Sequence, residues 1–389
     1  MFDPRRLALC AALLMLFCSS GATADESNTE ASVSLQPGDG LRIVGADDQY
    51  SLQARGYFQL YYDFRATDGE PDHSSMSFRR LRADIRGHAF TEDLTFRLMP
   101  EFARQTALAD GWVSYRFSDA INLRAGQYNV PFNWERHVSS LNQLYSERSA
   151  ANNEFQWPGG RDIGVMAHGD LTDWFRYGVG IYSGQGANAA RSGSTGHLVT
   201  GRAMFTPLGE YPGSEVPIEP TEDVNVSFAV GAFYAHQNSA RDWARWHADE
   251  PMDANVASST ADAHLQWSVL SVHLSGFHRH VTPGATVADP ELPDDAQPAP
   301  IGRHEGVGVT GHLGAVVVPE RLTLAARYST ARPNLDVDDA ARRQALGGVH
   351  LFHRGLDSRL QAEAGLDSTH NGDRWVDSLA VNLNYQLIF

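Results

Sequence analysis

The chain has 389 residues, 42% of them hydrophobic, and a formal net charge of −16 from 47 acids against 31 basic residues, all of them Arg. Such an acidic balance argues against nucleic acid as a partner. Both cysteines, Cys10 and Cys18, lie in the first 24 residues, so a chain cut after residue 24 has no disulfide scaffold, thiolate metal site or cysteine nucleophile.

At the N-terminus, Arg5 and Arg6 precede an apolar run from Leu7 to Phe17, and Ala22-Thr23-Ala24 supplies small residues for cleavage. Residues 1–24 therefore read as a secretory signal peptide removed before Asp25. Losing Asp3, Arg5 and Arg6 takes the charge from −16 to −17. The apolar run is too short to span a bilayer, and no later run reaches the ~18 to 20 residues a membrane helix needs. Residues 25–51 read as a periplasmic lead-in and 52–389 as a single domain without internal repeats. A secreted chain of this size, free of cysteine and rich in Gly and aromatics, is a large soluble β protein or a closed membrane barrel.

From residue 52 onward, apolar and polar residues alternate with the period of a strand. In the first strand Leu52, Ala54, Phe58, Leu60, Tyr62 and Phe64 share one face, and Gln53, Arg55, Gln59 and Asp63 the other. In the second, Leu81, Ala83 and Ile85 alternate with Arg80, Arg82, Asp84 and Arg86. The third sets Leu94, Phe96 and Leu98 against Thr95, Arg97 and Glu101; the fourth and fifth place Arg116 and Arg124 opposite apolar neighbours. Further strands follow at about 161–169, 174–182, 198–206, 224–235, 260–267, 270–279, 304–314, 321–330, 343–352, 358–367 and 376–389. The tally is sixteen, each near the ~9 to 11 residues of a tilted transmembrane strand.

Short links, such as Thr91-Glu92-Asp93 and Ser118-Asp119-Ala120, interleave with longer ones at about 65–77, 129–160, 183–197, 236–259, 280–303 and 330–342. Short periplasmic turns and long external loops are the barrel arrangement. The link at 207–223, with Pro207, Pro212, Pro217 and Pro220, breaks the rule and reads only as an insertion. In the last strand Leu379, Val381, Leu383, Tyr385, Leu387 and Phe389 form one apolar stripe, and the terminal aromatic Phe389 reads as a barrel assembly signal. Tyr62, Phe64, Phe175, Tyr177, Tyr234, Tyr385 and Phe389 are expected in interface girdles.

The connection 129–160 carries mixed charge, including Arg136, Glu147, Arg148 and, at its end, Arg161. Its place after the fifth strand is where a porin folds a loop inward to narrow the pore; a solvated outer loop is the alternative. The stretches Leu123-Arg124-Ala125-Gly126-Gln127-Tyr128-Asn129-Val130-Pro131-Phe132, Glu147-Arg148-Ser149-Ala150-Ala151-Asn152-Asn153 and Gly159-Gly160-Arg161-Asp162-Ile163-Gly164-Val165 resemble the phosphate-selective porin O and P family. So do Arg79-Arg80-Leu81-Arg82 and Trp112-Val113-Ser114-Tyr115-Arg116-Phe117. The resemblance is densest from about 78 to 169. It implies a sixteen-stranded antiparallel transmembrane β-barrel with an inward constriction loop, assembled as a homotrimer in the outer membrane, in contact with lipid, lipopolysaccharide and the barrel assembly machinery.

Inward faces assigned from the alternation hold Arg55, Arg80, Arg82, Arg86, Arg97, Arg116, Arg124, Arg176, Arg202, Arg327 and Arg359, against Asp63, Asp84, Glu101, Asp162, Asp262 and Glu363. The predicted lumen is thus basic although the chain is acidic. Guanidinium groups meet phosphate or carboxylate oxygens with paired donors, so small anions are the expected solutes, with Arg55, Arg80, Arg82, Arg86, Arg97, Arg116 and Arg124 along the path. The alternative is that these charges pair across strands, as in a general, weakly selective diffusion porin. Phosphate-specific members of the family place lysines as well as arginines on the narrow path; this chain has no Lys, which favours moderate anion preference over strict phosphate selectivity. No metal site is expected: His278, His280, His350 and His353 sit at strand ends or loops, and no His-Glu-x-x-His helix occurs. No other cofactor is implied, and no outward Ser-His pair stands out, so no enzyme is expected. A secreted soluble β-sandwich binding protein is a further alternative, disfavoured by the alternating link lengths.

Overall fold

The computed structural model describes residues 31–103, 107–189, 197–209, 213–238, 254–283 and 303–389. The expected signal peptide 1–24 and parts of the long links at 183–197, 236–259 and 280–303 lie outside the described residues. A short hairpin, β1 (Ser32–Gln36) and β2 (Gly40–Val44), occupies the stretch read as a lead-in. Sixteen strands follow. The first half comprises β3 (Tyr50–Thr67), β4 (His73–Ala89), β5 (Thr91–Glu101), β6 (Ala107–Ser118), β7 (Ile121–Asn129), β8 (Arg161–Thr172), β9 (Phe175–Tyr182) and β10 (Leu198–Phe205). The second comprises β11 (Thr221–Asn238), β12 (Ala254–Ser268), β13 (Leu270–Pro283), β14 (His304–Val318), β15 (Leu322–Arg332), β16 (Arg342–Arg354), β17 (Ser358–His370) and β18 (Trp375–Ile388). Between β7 and β8 lie two helical turns, α1 (Trp134–His137) and α2 (Ala150–Phe155).

Every strand from β3 to β18 pairs antiparallel with its neighbours, and β18 pairs with β3 from Ser378↔Thr67 to Ile388↔Tyr57. The sheet is a closed barrel. Closure follows from composition: backbone groups cannot stay unpaired in hydrocarbon, so a spanning sheet has no edge. Burial is inverted relative to a soluble protein. Along β12, Ser258, Thr260, Asp262, His264 and Gln266 are buried in the lumen while Leu265 and Trp267 are exposed. The strands run longer than the alternation indicated at the long-loop end, so that the expected 65–77 loop contracts to the residues between Thr67 and His73.

The seam is fastened at its last residue. Beyond β18, the Phe389 N–H donates to Gly56 O at 2.9 Å, and Gly56 N–H donates back to Phe389 O at 2.7 Å. The Phe389 ring lies over Gly56, where a Cβ would come within 2.7 Å of it. Along the same edge of β3, β2 pairs Leu41↔Ala54 to Val44↔Ser51, extending the wall below the end of β18. A Gly56→Leu substitution is expected to displace the ring and destabilise the barrel by about 1–3 kcal/mol. Heat-modifiability in SDS gels measures it: the folded band should be lost at a lower temperature than in the native protein.

Candidate functional site

The connection 130–160 is folded into the barrel and lies against its second half, where α2 packs on β13 to β16. Capping shapes its helical turns. The Asn133 side chain accepts from Arg136 N–H at 3.3 Å, and Ser149 Oγ accepts from Asn152 N–H at 3.1 Å. The two turns are tied by Glu135, whose carboxylate accepts from Ser149 N–H at 2.8 Å and Ser149 Oγ–H at 2.6 Å. Gly160, at φ 72°, turns the chain into β8 against the Arg136 guanidinium, where a Cβ would collide.

Wall side chains satisfy the loop's backbone. Arg202 donates to Phe132 O at 2.7 Å and Arg327 to Glu147 O at 2.7 Å. Arg359 donates to Leu141 O at 2.9 Å and to Gln143 O at 3.1 Å. Asp262 accepts from Trp134 N–H at 3.1 Å, and Glu363 accepts from Ser146 N–H at 2.6 Å and Ser146 Oγ–H at 2.9 Å. Aromatic packing fills the rest of this side: Phe132 meets Phe233 edge-on at 5.0 Å, and Phe155 stacks on Phe277 at 5.8 Å. The link 213–220 rises from the short-turn end to join the loop, with Glu215 N–H donating to Asn142 O at 3.0 Å and Thr323 Oγ–H to Pro217 O at 2.6 Å. The unexplained insertion is therefore a second inward segment, with Glu215 and Val216 buried inside the barrel.

The other half of the wall stays open. A cavity of about 140 Å³ lies between the loop and β3 to β8, lined by Arg80, Arg82, Arg97, Arg148 and Arg161 with Asp110 as its one carboxylate. It shares Arg97, Asp110, Asn129 and His137 with a cavity of about 460 Å³ that reaches toward the short-turn end past Arg124, Arg136, Arg176, Arg202, Asp119 and Asp170. Together nine arginines face three aspartates. Arg79 spans the lumen to Glu147 on the loop through two hydrogen bonds, one of 2.8 Å between Nη2 and Oε2. Enclosure pushes the Glu147 carboxyl up, but Arg79, together with Arg80 and Arg148, more than offsets this and holds it below the ordinary glutamate range. Enclosure first and Arg161 next pull Arg148 down to about 10, so it stays charged at neutral pH. Burial and the neighbours Arg148, Arg161 and Arg80 press the Arg136 pKa down in the same way. A guanidinium keeps its proton in proteins, so mutual repulsion becomes attraction for an anion.

The sequence profile described as phosphate-selective porin O and P matches residues 52–267. The chain belongs to that family. Comparison with curated sequences finds no match. Among solved structures, OmpT of Vibrio cholerae is similar at TM-score 0.57 and 10% identity, covering 87% of this chain and 98% of its own. The outer-membrane channel DcaP of Acinetobacter baumannii is similar at TM-score 0.56 and 12% identity, covering 87% and 97%. At such identities these likenesses concern the fold, a closed sixteen-stranded barrel. Family membership makes the protein an outer-membrane porin and points to a channel.

In this porin the expected path residues separate into groups. Arg80, Arg82, Arg97 and Arg124 line the open cavities, as do the loop residues Arg136 and Arg148 and Arg161 at the start of β8. Arg82 pairs with Glu101, Arg97 with Asp84 at 2.6 Å and Asp110 at 3.2 Å, and Arg161 with Asp110 at 2.8 Å. Arg80, Arg124, Arg136 and Arg148 have no carboxylate in salt-bridge range among the described residues; Arg124 instead stacks on Trp112 at 4.2 Å. Arg55 is tied to Asp84 at 2.9 Å, Arg86 bonds Gln53, and Arg116 sits at the short-turn rim, exposed and paired to Asp93. His278 and His280 lie beside Glu305 near the long-loop end, while His350 faces the lumen and His353 is exposed. Strict alternation missed Arg79: a bulge sets Gln59 opposite Arg80 and Leu60 opposite Phe78, leaving Arg79 over. The pair Arg79-Arg80 beside a long polar loop was the available signal.

Glu363→Ala strands Ser146 N–H and Oγ–H in the interior and should cost about 1–3 kcal/mol of stability. Freed from that anchor, loop 141–146 is expected to swing, and single-channel recordings should show a changed, noisier conductance. A steady native conductance would mean that Arg359 and Gln386, both of which donate to Leu141 O, hold this segment without Glu363.

Proposed function

We propose that this porin passively conducts small hydrophilic solutes with a moderate preference for anions, phosphate among them. The observation that carries the reading is the excess of arginine along the two joined cavities, where eight arginines besides Arg202, which is spent on Phe132 O and Asp262, face three aspartates. Spaced along one side of the lumen, their fields overlap within the Debye length of about 8 Å at physiological salt. An anion is then handed from one guanidinium to the next without a single deep well, which conduction requires. Asp110, Glu101 and Asp84 pair with several of these arginines and moderate the field, and no lysine adds a mobile point charge. A general diffusion porin with the same fold is the second reading, favoured by those same pairs.

Reversal potentials in planar bilayers under a KCl gradient test the reading, with phosphate added to probe block of chloride current. The native pore should favour chloride several-fold, and Arg80→Ala with Arg82→Ala should cut that preference. A cation-selective pore, or selectivity untouched by the double substitution, would sink the arginine path and leave the barrel intact.

We further propose that residues 1–24 are removed on export and that the chain assembles as a homotrimer amid lipid and lipopolysaccharide. Phe389 would present the end of β18 to the barrel assembly machinery. A trimer form is recorded for OmpT of Vibrio cholerae. Extraction in SDS without boiling should yield an oligomeric band that collapses to monomer on heating, starting at Asp25 by terminal sequencing.

A further inference from the structure

The second inward segment ends on chemistry that pore conduction does not use. His264 on β12, His273 on β13 and His312 on β14 stand directly opposite one another in the register, so all three face the lumen in one row near the short-turn end. His273 and His312 are buried, and Glu215 of the 213–220 link is brought down onto them, itself buried. His273 Nδ1 lies 3.7 Å from Glu215 Oε1, and His312 Nδ1 lies 3.7 Å from Glu215 Oε2. None of these three groups completes its hydrogen bonding: Glu215 Oε1, His273 Nδ1 and both ring nitrogens of His312 are buried without a hydrogen-bond partner.

We propose that Glu215, His273 and His312 form a binding site for a divalent transition-metal cation, Zn²⁺ or a neighbour of like chemistry. One ligand atom from each residue lies within 4.8 Å of the others. Bonds of about 2.0–2.2 Å in a tetrahedron place ligand atoms about 3.4 Å apart, so side-chain rotations that move the widest pair by up to about 1.4 Å close the set. The surroundings orient the ligands. Ser275 Oγ–H donates to Asp262 at 2.5 Å, and so accepts from His273 Nε2–H at 2.7 Å. That leaves the His273 Nδ1 lone pair free to face Glu215, the outer-sphere arrangement of metal-bound imidazoles. On the far side, the Glu135 carboxylate of α1 stands 3.9 Å from His312 Nε2, beyond hydrogen-bond reach, and its negative charge favours the tautomer protonated there, with the Nδ1 lone pair turned to Glu215. Two imidazoles and a carboxylate suit zinc-like cations and leave a fourth position for water. The ion would fasten link to wall, and through Glu215, whose Oε2 accepts from Leu144 N–H at 3.1 Å, to the constriction loop as well.

The test uses the full-length refolded porin, stripped by chelator and titrated with Zn²⁺ alone by calorimetry, then with Co²⁺ alone followed by visible absorption. One ion per chain should bind, with the intense absorption of low-coordinate Co²⁺, and hydrogen exchange in 213–220 should slow on Zn²⁺ addition. Glu215→Gln and His273→Gln, each checked for the folded heat-shift band, should abolish the Co²⁺ spectrum. Ser275→Ala should weaken binding on the order of 10- to 100-fold. A variant with His278→Ala and His280→Ala, at the opposite end, should bind as the native porin does. Absence of binding, binding that survives Glu215→Gln or His273→Gln, or binding lost in the His278/His280 variant would overturn the site.

Discussion

The constraint on which this structure depends is that a long segment with little secondary structure of its own is placed inside a barrel. Each buried N–H and C=O of such a segment needs a partner, and an unmade bond costs more than a made one returns. The wall supplies those partners from one side only, the run of strands from β10 to β17. Arg202, Arg327 and Arg359 cap carbonyls, and Asp262 and Glu363 take up N–H groups, all from β10, β12, β15 and β17. Hydrogen bonds to charged groups are stronger than neutral ones, so charged side chains are the natural anchors for irregular backbone.

This division of labour gives the lumen its polarity. The arginines Arg202, Arg327 and Arg359 on that side spend their donors on loop carbonyls and face Asp262 or Glu363 close by. Those of β3 to β8 face the space that the loop leaves, where four arginines, Arg80 and Arg124 of the wall and Arg136 and Arg148 of the loop, have no carboxylate in salt-bridge range among the described residues. The lumenal charge is therefore asymmetric because the loop is asymmetric. A count of inward arginines overstates the field, since it gives an anchoring guanidinium the same weight as an open one. The Arg79–Glu147 pair, reaching across from wall to loop, is where the two halves meet, and it fixes how far the loop stands from the arginine row.

The barrel was legible because strand alternation and link length are local properties. Leu379 to Phe389 declares a lipid face and a water face without reference to any other strand, and the long connection between β7 and β8 announces itself by length and by Glu147-Arg148-Ser149. What was not legible is whatever depends on register or on contact at a distance. Arg79 lies inward only because of a bulge, which breaks the period-2 rule on which its assignment rested. Arg327 and Arg359 read as path residues from alternation, and nothing within β15 or β17 marks them as loop anchors. The 207–223 link was equally opaque, since its Glu215 acquires meaning only once β13 and β14 bring two histidines beneath it.

Two inward segments that support each other have a consequence for how such a pore is stiffened. Asn142 O accepts from Glu215 N–H, and Leu144 N–H donates to the Glu215 carboxylate, so link and loop form a small bridge with no contact to lipid. Each alone would be a tethered segment free to fluctuate in a wide lumen. Joined, they share one set of wall anchors: Thr323 holds Pro217 O, Ser271 holds Glu215 O, and Arg359 holds Leu141 O. Motion of the loop then requires motion of a link inserted from the other end of the barrel. A rigid constriction built this way rests chiefly on the side of the wall from β10 to β17, with Arg79 the one strand arginine of β3 to β8 that reaches the loop among the described residues, and leaves Arg80 and Arg124 to face the solute path.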